Sequence, residues 1–414
     1  MTPEIRQRIE QIRRGKVPEG YKKGKLGIVP EEWNETSFST LFTSTSEYTD
    51  DLDTYPLYSL TIEDGITPKT ERYERSHLVK KEDSYKIVRP NDYAYNPMNL
   101  RFGAVARHKG NLPVAVSGYY DIFTTVHEND LPFMDSFLTC GPMITYYNRV
   151  STGSLVEKQR VHFSQFLEFV LPLPSINERA KIATILTTQD RVIELKEKCL
   201  AEKQRQKKHL MQQLLTGKKR LPGFYGAWSF PKAKELFQSV SDKDHNGDLA
   251  VLSSTQDRGI VPRNEVDIDI KYDACSLVNY KKVSKGNFVI SLRSFQGGIE
   301  YSTYTGLVSP AYTVLSSRKE ISDGYYKQFF KSTDYINRLN VAVYGIRDGK
   351  QISYEDFGRL RIPYPPIKEQ DAIAEVLSTA DHEIDLLQQD IEQEKQKKKA
   401  LMQLLLTGIV RVKT

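Results

Sequence analysis

The 414-residue sequence has few cysteines, no long apolar run and no signal segment. Its three cysteines, Cys140, Cys199 and Cys275, lie far apart and form no CxxC pair, which excludes a zinc ribbon and a disulfide framework. No run approaches ~18 apolar residues, so the sequence predicts no membrane span. The N-terminal residues MTPEIRQRIEQIRRGK contain no apolar stretch of the kind found in secretory signals, and we therefore expect a cytoplasmic protein.

The signatures of several enzyme classes are also missing. No GxxxxGK[ST] phosphate-binding loop and no HExxH zinc motif occur, and the seven histidines have no metal-ligand spacing. A DNA adenine methyltransferase needs a glycine-rich cofactor loop and an Asn/Asp-Pro-Pro-aromatic motif, whereas the nearest match is Asn96-Pro97-Met98-Asn99. The net charge of +6 permits nucleic-acid binding without requiring it. These absences favour a binding protein with no catalytic residues and no metal or cofactor of its own.

The clearest positive feature is an internal repeat. Residues 176–217 match residues 367–408 at 18 of 42 positions without a gap. Weaker matches, such as Trp33 with Trp228 and Tyr85-Lys86 with Tyr280-Lys281, extend the repeat outside these segments. The sequence therefore predicts an N-terminal basic helix with a lead-in segment (1–30), a globular domain (31–174), a long helix (175–217), a second globular domain (218–365) and a second long helix (366–414).

Both matched segments have the pattern of long helices. Ser175 and Glu178 have the spacing of a capping box, and about 41 residues without Pro or Gly follow. Gly217 and Gly408 stand where the two helices are expected to end. At ~1.5 Å rise per residue each helix would be roughly 60 Å long. Apolar residues recur at alternating spacings of three and four, which is typical of a coiled coil. The predicted helix–helix seam comprises Ile182, Leu186, Ile193, Leu200, Lys203, Leu210, Leu214, Ile373, Leu377, Ile384, Leu387, Ile391, Glu394, Leu401 and Leu405.

Opposite charges predict that the two helices pair with each other. Residues 176–216 carry a net charge of +4 and residues 367–407 carry −4. We expect Lys203 and Glu394 to pair across the seam and fix its register. Because the two halves are equivalent, a pseudo-twofold arrangement with antiparallel helices is favoured. The predicted fold class is α+β, with two mixed α/β globular domains separated by a pair of long antiparallel coiled-coil helices.

The two globular regions contain short β-prone runs punctuated by Gly, Asn and Pro, with helical periodicity near Pro132–Asn148 and Gly324–Leu339. Basic and amide side chains lie in their predicted loops. Arg and Lys suit guanine edges and phosphates, and Asn and Gln suit adenine edges, although surface Lys and Arg also serve solubility. The candidate DNA contacts are Lys80, Lys81, Asn96, Asn99, Arg101, Arg107 and Lys109 in the first region and Lys281, Lys282, Arg293, Ser294, Gln296, Arg347 and Lys350 in the second.

Over essentially its whole length the sequence resembles the specificity subunits of type I restriction-modification systems. In that family a Pro-Pro-containing segment and an E-Q/R-x-x-I-A run lead into each long helix, and LPLPSINERAKIA and IPYPPIKEQDAIA are similar to these. Arg179 and Ser175 depart from the usual Gln and Pro. Further similar segments are Gly20–Trp33, Gly217–Trp228, Tyr95–Met98 with Arg101 and Gly103, Leu292–Gly298 and Ser309–Tyr312.

The resemblance implies a non-catalytic DNA reader. Each target-recognition domain would bind one half of an asymmetric, interrupted site on double-stranded DNA, and the helices would set the gap. Two methyltransferase subunits would dock on the chain, and restriction/translocase subunits would complete the complex. S-adenosylmethionine, ATP and Mg²⁺ would be used in those partners, with no membrane involved. The family's circular organisation predicts that Pro3–Arg14 packs near the end of the second long helix.

Two other functions stay open at this point. One is the specificity module of a stand-alone restriction or methylation enzyme, against which the missing catalytic motifs count. The other is a coiled-coil interaction protein without a DNA role, which a test of sequence preference in DNA binding would exclude.

Overall fold

The computed structural model describes residues 2–69, 85–153, 155, 159–266, 274–342 and 352–413. The chain divides into two compact units. Unit 1 consists of residues 1–196 and 391–414, and unit 2 consists of residues 197–390. No helix within the described ranges is both long and apolar enough to cross a membrane.

Unit 1 is a mixed α/β body built on antiparallel sheets. Its main sheet has the order β10-β9-β12-β4, and a second sheet has the order β11-β8-β5. The strands are β1 Tyr21–Gly24, β2 Gly27–Pro30, β3 Asn34–Ser37, β4 Phe42–Thr45, β5 Tyr48–Thr49, β6 Tyr58–Thr61, β7 Gly65–Pro68, β8 Tyr85–Val88, β9 Tyr93–Tyr95, β10 Val105–Arg107, β11 Val114–Ser117, β12 Asp121–Thr125 and β13 Val170–Leu173. The helices are α1 Pro3–Arg13, α2 Leu131–Phe137, α3 Gly141–Val150, α4 Phe163–Leu167 and α5 Ile176–Leu214, whose C-terminal part belongs to unit 2.

Unit 2 repeats this topology. Its main sheet has the order β14-β21-β18-β19, which corresponds strand for strand to β4-β12-β9-β10 of unit 1. The strands are β14 Phe237–Val240, β15 Leu252–Thr255, β16 Gly259–Pro262, β17 Lys281–Val283, β18 Phe288–Ile290, β19 Glu300–Tyr301, β20 Gly306–Val308 and β21 Thr313–Ser317. The helices are α6 Ala233–Leu236, α7 Ser294–Gly297, α8 Asp323–Phe329, α9 Thr333–Ala342, α10 Tyr354–Arg359 and α11 Ile367–Leu405, whose C-terminal part belongs to unit 1. The predicted fold class is thus confirmed.

Each region of predicted helical periodicity contains two short helices. In the first, Pro142 lies in the first turn of α3 and cannot continue the preceding helix, because its ring clashes with the previous turn. In the second, the Ser332 hydroxyl accepts a hydrogen bond from the Tyr335 amide (3.3 Å) and starts α9 afresh.

The long helices α5 and α11 each contain 39 residues and run antiparallel within each unit. In unit 1 the Lys398 ammonium, near the end of α11, lies 2.5 Å from the Asp190 carboxylate, near the start of α5. In unit 2 Lys207 of α5 pairs with Asp381 of α11. The four residues are equivalent under the 191-residue offset, so the repeat uses the same Asp–Lys pair twice with the helices exchanged.

The expected pairing of Lys203 with Glu394 is wrong. Lys203 Nζ lies 2.7 Å from Glu383 Oε2, because the antiparallel register brings Lys203 level with this part of α11. Glu394 instead accepts hydrogen bonds from Gln189 (2.6 Å) and Lys196 (3.1 Å) within unit 1. These bonds, with one from Lys397, lower the pKa of the Glu394 carboxyl from 4.5 to about 2.

The predicted seam residues differ in their burial. Nine of them are buried, namely Ile182, Leu186, Ile193, Leu214, Ile373, Leu377, Ile384, Ile391 and Leu405. The other six are half-buried, namely Leu200, Lys203, Leu210, Leu387, Glu394 and Leu401. The polar members are those that form ion pairs at the helix surface.

At the start of each long helix a buried carboxylate binds an arginine and a tryptophan from other parts of the chain. In unit 1 Glu178 is 2% exposed; it accepts a hydrogen bond from Trp33 Nε1 (3.3 Å) and two from the Arg411 guanidinium (2.6 and 3.0 Å). The bonds to Glu178 raise the pKa of Arg411. Because the bidentate guanidinium and the indole together satisfy the carboxylate, the charge is tolerated inside the protein. We call this set, Trp33, Glu178 and Arg411, the joint triad of unit 1.

Unit 2 contains the equivalent joint triad of Trp228, Glu369 and Arg220. Trp228 Nε1 donates to Glu369 at 2.9 Å, and Arg220 donates two bonds of 2.5 and 2.6 Å. In both units the arginine follows the end of one long helix and binds the start of the other. The joint triad of unit 1 therefore ties three separate segments together, and that of unit 2 ties the connection after α5, which carries both Arg220 and Trp228, to the start of α11.

The N-terminal helix α1 lies where the sequence predicted it. Arg8 of this helix donates a hydrogen bond to the Ile409 carbonyl (3.0 Å), just beyond the end of α11. The guanidinium also lies over the ring of Tyr21, whose hydroxyl donates to the Gly408 carbonyl at 2.9 Å.

Candidate nucleic-acid interface

The central strands of the two main sheets present equivalent loops. Loop 96–104 joins β9 to β10 in unit 1, and loop 291–299 joins β18 to β19 in unit 2. Both leave the sheet at the same place in the register, because Tyr95 pairs with Asp121 at the start of β12 and Ile290 pairs with Thr313 at the start of β21. Six of the fourteen candidate DNA contacts lie on these two loops.

The candidate DNA contacts on loop 96–104 are one structural residue, Asn96, and two residues nearer the surface, Asn99 and Arg101. Asn96 is 8% exposed, and its side-chain oxygen accepts hydrogen bonds from the amides of Met98 and Asn99, so that it caps the turn. Asn99 is exposed and Arg101 is half-buried. The Arg101 guanidinium lies 4.6 Å from the ring centroid of Phe102, an exposed aromatic residue. This surface offers an amide, a cation and a ring to a ligand.

Loop 291–299 is organised in the same way. Ser294 is 1% exposed, and its hydroxyl accepts a hydrogen bond from the Ser291 amide at 2.8 Å, which closes the turn 291–294. Arg293 and Gln296 are exposed, and Leu292 beside them is also exposed. The exposed guanidinium and amide are groups that can bind guanine and adenine edges, respectively.

Arg107 and Lys109 converge on one carboxylate at the end of β10. Arg107 donates bidentate hydrogen bonds to Asp135 (3.0 and 2.8 Å) and a further bond to Asn91 (2.6 Å), which leaves its side chain 17% exposed. Lys109 Nζ lies 3.5 Å from the same Asp135 and remains 69% exposed. Of the two, only Lys109 presents its charge to solvent.

The two lysines of unit 2 are both half-buried and differ in their partners. Lys281 donates to the Tyr312 carbonyl at 2.7 Å, whereas Lys282 Nζ lies 3.8 Å from the Asp242 carboxylate. Lys80, Lys81, Arg347 and Lys350 lie outside the described residues. Within the described ranges no group of His, Cys, Asp and Glu side chains is arranged to hold a metal ion.

Sequence reasoning missed both joint triads and one buried lysine, Lys86. The repeat carried the signal for all of them. Trp, Glu and Arg recur at equivalent positions in the two halves, and Lys86 is the equivalent of Lys281.

Comparisons with known proteins agree with this organisation. Residues 229–396 match the family model of the type I restriction modification DNA specificity domain. The specificity subunit assigned to the type I restriction enzyme MjaX of Methanocaldococcus jannaschii is 25% identical, over 96% of this chain and 98% of the relative. The MjaVIII specificity subunit of the same organism is 26% identical, over 60% of this chain and 64% of the relative.

Solved structures share the fold. A chain from a structural study of complex assembly and conformational transition in the type I R-M system aligns with a TM-score of 0.57 and 15% identity, over 92% of this chain and 99% of that chain. The S subunit of a type I restriction-modification system from M. genitalium aligns with a TM-score of 0.51 and 12% identity, over 95% and 100%. Residues 229–396 thus match a type I restriction modification DNA specificity domain, and the chain is similar over 96% of its length to a type I restriction enzyme specificity subunit.

Proposed function

We propose that the chain reads a bipartite DNA site, with the target-recognition domain at 31–174 reading one half and the domain at 218–365 reading the other. The observation that carries this proposal is the equivalence of loops 96–104 and 291–299, which leave matching strands at matching register positions. Two equivalent loops with different exposed side chains suit a site whose halves differ in sequence.

We assign to DNA the four exposed candidates together with the half-buried Arg101, which also donates to Gln159 at 3.2 Å, and the half-buried Lys282. Asn99, Arg101 and Lys109 would act in unit 1, and Lys282, Arg293 and Gln296 in unit 2. Asn96, Ser294, Arg107 and Lys281 have their polar groups bonded inside the protein, which supports a role in shaping the surface. Lys80, Lys81, Arg347 and Lys350 remain candidates from the sequence alone.

The test uses the chain assembled with its methyltransferase partners and a DNA library of random sequence, with methylated positions as the readout. The wild type should methylate a motif of two specified halves around an unspecified gap. Replacing both Arg293 and Gln296 by Ala should relax one half by roughly tenfold or more and leave the other unchanged. Arg359→Ala, at an exposed position on α10, is the control. A wild-type complex that methylates without any bipartite preference would refute the proposal.

We propose that the methyltransferase partners dock on equivalent surface stripes of the two long helices. On α5 the stripe comprises the exposed Ile185, Thr188 and Leu195 with the half-buried Val192. On α11 it comprises the exposed Thr379, Glu383 and Leu386 with the half-buried Val376, and Glu383 also pairs with Lys203. Leu195 is 50% exposed and Leu386 is 51% exposed. Leucine recurs at this exposed position in both units, and an identical partner at each unit would account for that.

Light scattering tests the docking. We expect Leu195→Lys or Leu386→Lys alone to leave one methyltransferase subunit bound and the double variant to leave none. Leu112→Lys, at a 74% exposed position in the recognition domain, is the control. Two bound subunits in the double variant would contradict this assignment.

The remaining parts of the proposal concern the complex. Restriction/translocase subunits would join the methylating complex, the long helices would set the gap between the half-sites, and S-adenosylmethionine, ATP and Mg²⁺ would act in the partners. The compartment would be the cytoplasm, where the DNA substrate lies.

A further inference from the structure

In each unit a lysine side chain donates a hydrogen bond to a backbone carbonyl inside the protein, and the two carbonyls lie at equivalent positions. In unit 1 Lys86 is 6% exposed and its ammonium donates to the Tyr120 carbonyl at 2.7 Å. In unit 2 the half-buried Lys281 donates to the Tyr312 carbonyl at the same distance. Most side chains of the two globular domains differ, but this lysine and this tyrosine recur with the same bond.

The strand register places this bond beside the DNA-facing loops. Lys86 lies on β8 of the second sheet, and Tyr120 directly precedes β12 of the main sheet. The first residue of β12, Asp121, pairs with Tyr95, which directly precedes loop 96–104. The lysine therefore fixes the point where the chain crosses from one sheet to the other, next to the base of the loop.

Unit 2 shows the same placement with different side chains. Lys281 lies on β17, which pairs with β20, and Tyr312 directly precedes β21. The first residue of β21, Thr313, pairs with Ile290, which directly precedes loop 291–299. The strand partner of the lysine is a valine in both units, Val116 and Val308, whereas the residues at the base of the loop differ.

The surroundings of the two ammonium groups favour a structural bond over a phosphate contact. The Lys86 side chain is 7% exposed, its Nζ lies 3.7 Å from Asp121 Oδ1, and it lies over the Tyr48 ring at 5.4 Å. Burial lowers the pKa of Lys281. A charged donor that bonds a carbonyl inside the protein is directional and stronger than a neutral one, which suits it to fixing a turn.

We propose that Lys86 and Lys281 are positioning residues that set the DNA-facing geometry of loops 96–104 and 291–299, each for its own half-site. The proposal rests on the proposed function, since it assumes that these loops read DNA. Lys281, a candidate DNA contact in the sequence, would then act through the loop and not by touching the ligand.

The experiment uses the assembled methyltransferase complex and the random DNA library described above. Lys281→Met should reduce the preference for the half-site read by unit 2 roughly tenfold and leave the other half unchanged, and Lys86→Met should do the converse. Lys281→Arg, which retains a charged donor, should restore most of the preference. Lys285→Met, at an exposed lysine four residues along the chain, is the matched control and should leave the preference at both half-sites unchanged.

Circular dichroism establishes that each variant is folded, and Lys281→Gln, which keeps one N–H donor, replaces Lys281→Met if that variant does not fold. Unchanged preference at both half-sites in a folded Lys281→Met complex overturns the proposal. A uniform loss of affinity for all sequences also overturns it, because that is the signature of a lost phosphate contact. If the wild type itself shows no bipartite preference, it is the proposed function that fails.

Discussion

Arg411 is the residue at which the joint triad of unit 1 can be tested most directly. Arg411→Met removes both bonds to Glu178 and leaves a carboxylate that is 2% exposed with the Trp33 indole as its remaining triad partner. The same guanidinium also reaches Glu32, at 3.1 Å, but that carboxylate is 79% exposed. Arg411 thus has one buried and one exposed partner, which provides an internal control.

The two carboxylate partners of Arg411 should contribute very different amounts to the free energy of unfolding. Removing one member of a buried ion pair costs about 3–5 kcal/mol, and since Arg411 is itself 33% exposed we expect about 2–3 kcal/mol for Arg411→Met. Glu32→Gln should cost no more than about 0.5 kcal/mol, as for other exposed pairs. Adding Glu178→Gln to Arg411→Met should recover part of the loss, because the amide carries no unpaired charge and its oxygen still accepts from Trp33.

Tryptophan fluorescence during urea unfolding is the assay. The sequence contains only two tryptophans, and each belongs to one joint triad. In a Trp228→Phe background Trp33 alone reports on unit 1, and the transition midpoint, not the intensity, gives the change in unfolding free energy. If Arg411→Met and Glu32→Gln shift the midpoint equally, the buried pair does not stabilise the joint and the reasoning is refuted.

Three further changes follow from the same physics. Because the folded pKa of Glu394 is about 2 against an ordinary 4.5, its contribution to stability is present above about pH 4.5 and lost toward pH 2; Glu394→Gln should therefore flatten the pH dependence of the urea midpoint in that range. Arg179→Gln should cost about 3 kcal/mol in urea unfolding, because it leaves the 7% exposed Asp130 carboxylate without its ion pair, and Asp130→Asn in the same chain should restore part of it. Gly408→Ala should cost roughly 2–4 kcal/mol in the same assay, because φ is +70° and a Cβ would lie 2.5 Å from Pro30, whereas Gly226→Ala should change stability by less than about 0.5 kcal/mol. Three results would contradict these expectations. They are an unchanged pH dependence of the urea midpoint below pH 4.5 in Glu394→Gln, a double variant at Arg179 and Asp130 that loses the sum of the two single losses, and equal effects of Gly408→Ala and Gly226→Ala.

Local signals in the sequence were sufficient for the two long helices. The Ser175 hydroxyl accepts from the Glu178 amide as a capping residue should, and the long helices end at Leu214 and Leu405, three residues before the glycines that mark their ends. Their antiparallel direction also followed from the repeat, because equivalence of the halves constrains the pairing. Patterns of this kind depend on neighbours within a few residues, which a sequence displays directly.

Side-chain partners were not predictable in the same way. Arginine is a residue type that suits contact with DNA, but the partner of Arg107 is Asp135, which lies on a helix whose placement depends on the whole domain. Ser294 caps its own turn, and the pairing of Lys203 with Glu383 depends on a register that charge alone does not specify. Several lysines and carboxylates along α5 and α11 offer alternative pairs of similar energy, so the packing of the apolar residues decides among them.

The position of the joint triads in the sequence has a consequence for how such proteins diversify. The segments 34–177 and 229–368 each lie wholly between a triad tryptophan and a triad glutamate. Recombination that exchanges either segment therefore leaves every residue of its joint in place, and a new specificity can be inherited as a cassette. Some contacts do cross the boundary of the cassette, among them the Asp130–Arg179 pair and the hydrogen bond from Gln328 to Asp381. A donor cassette without an acidic residue in place of Asp130 would strand a buried guanidinium, so contacts of this kind would restrict which exchanges survive.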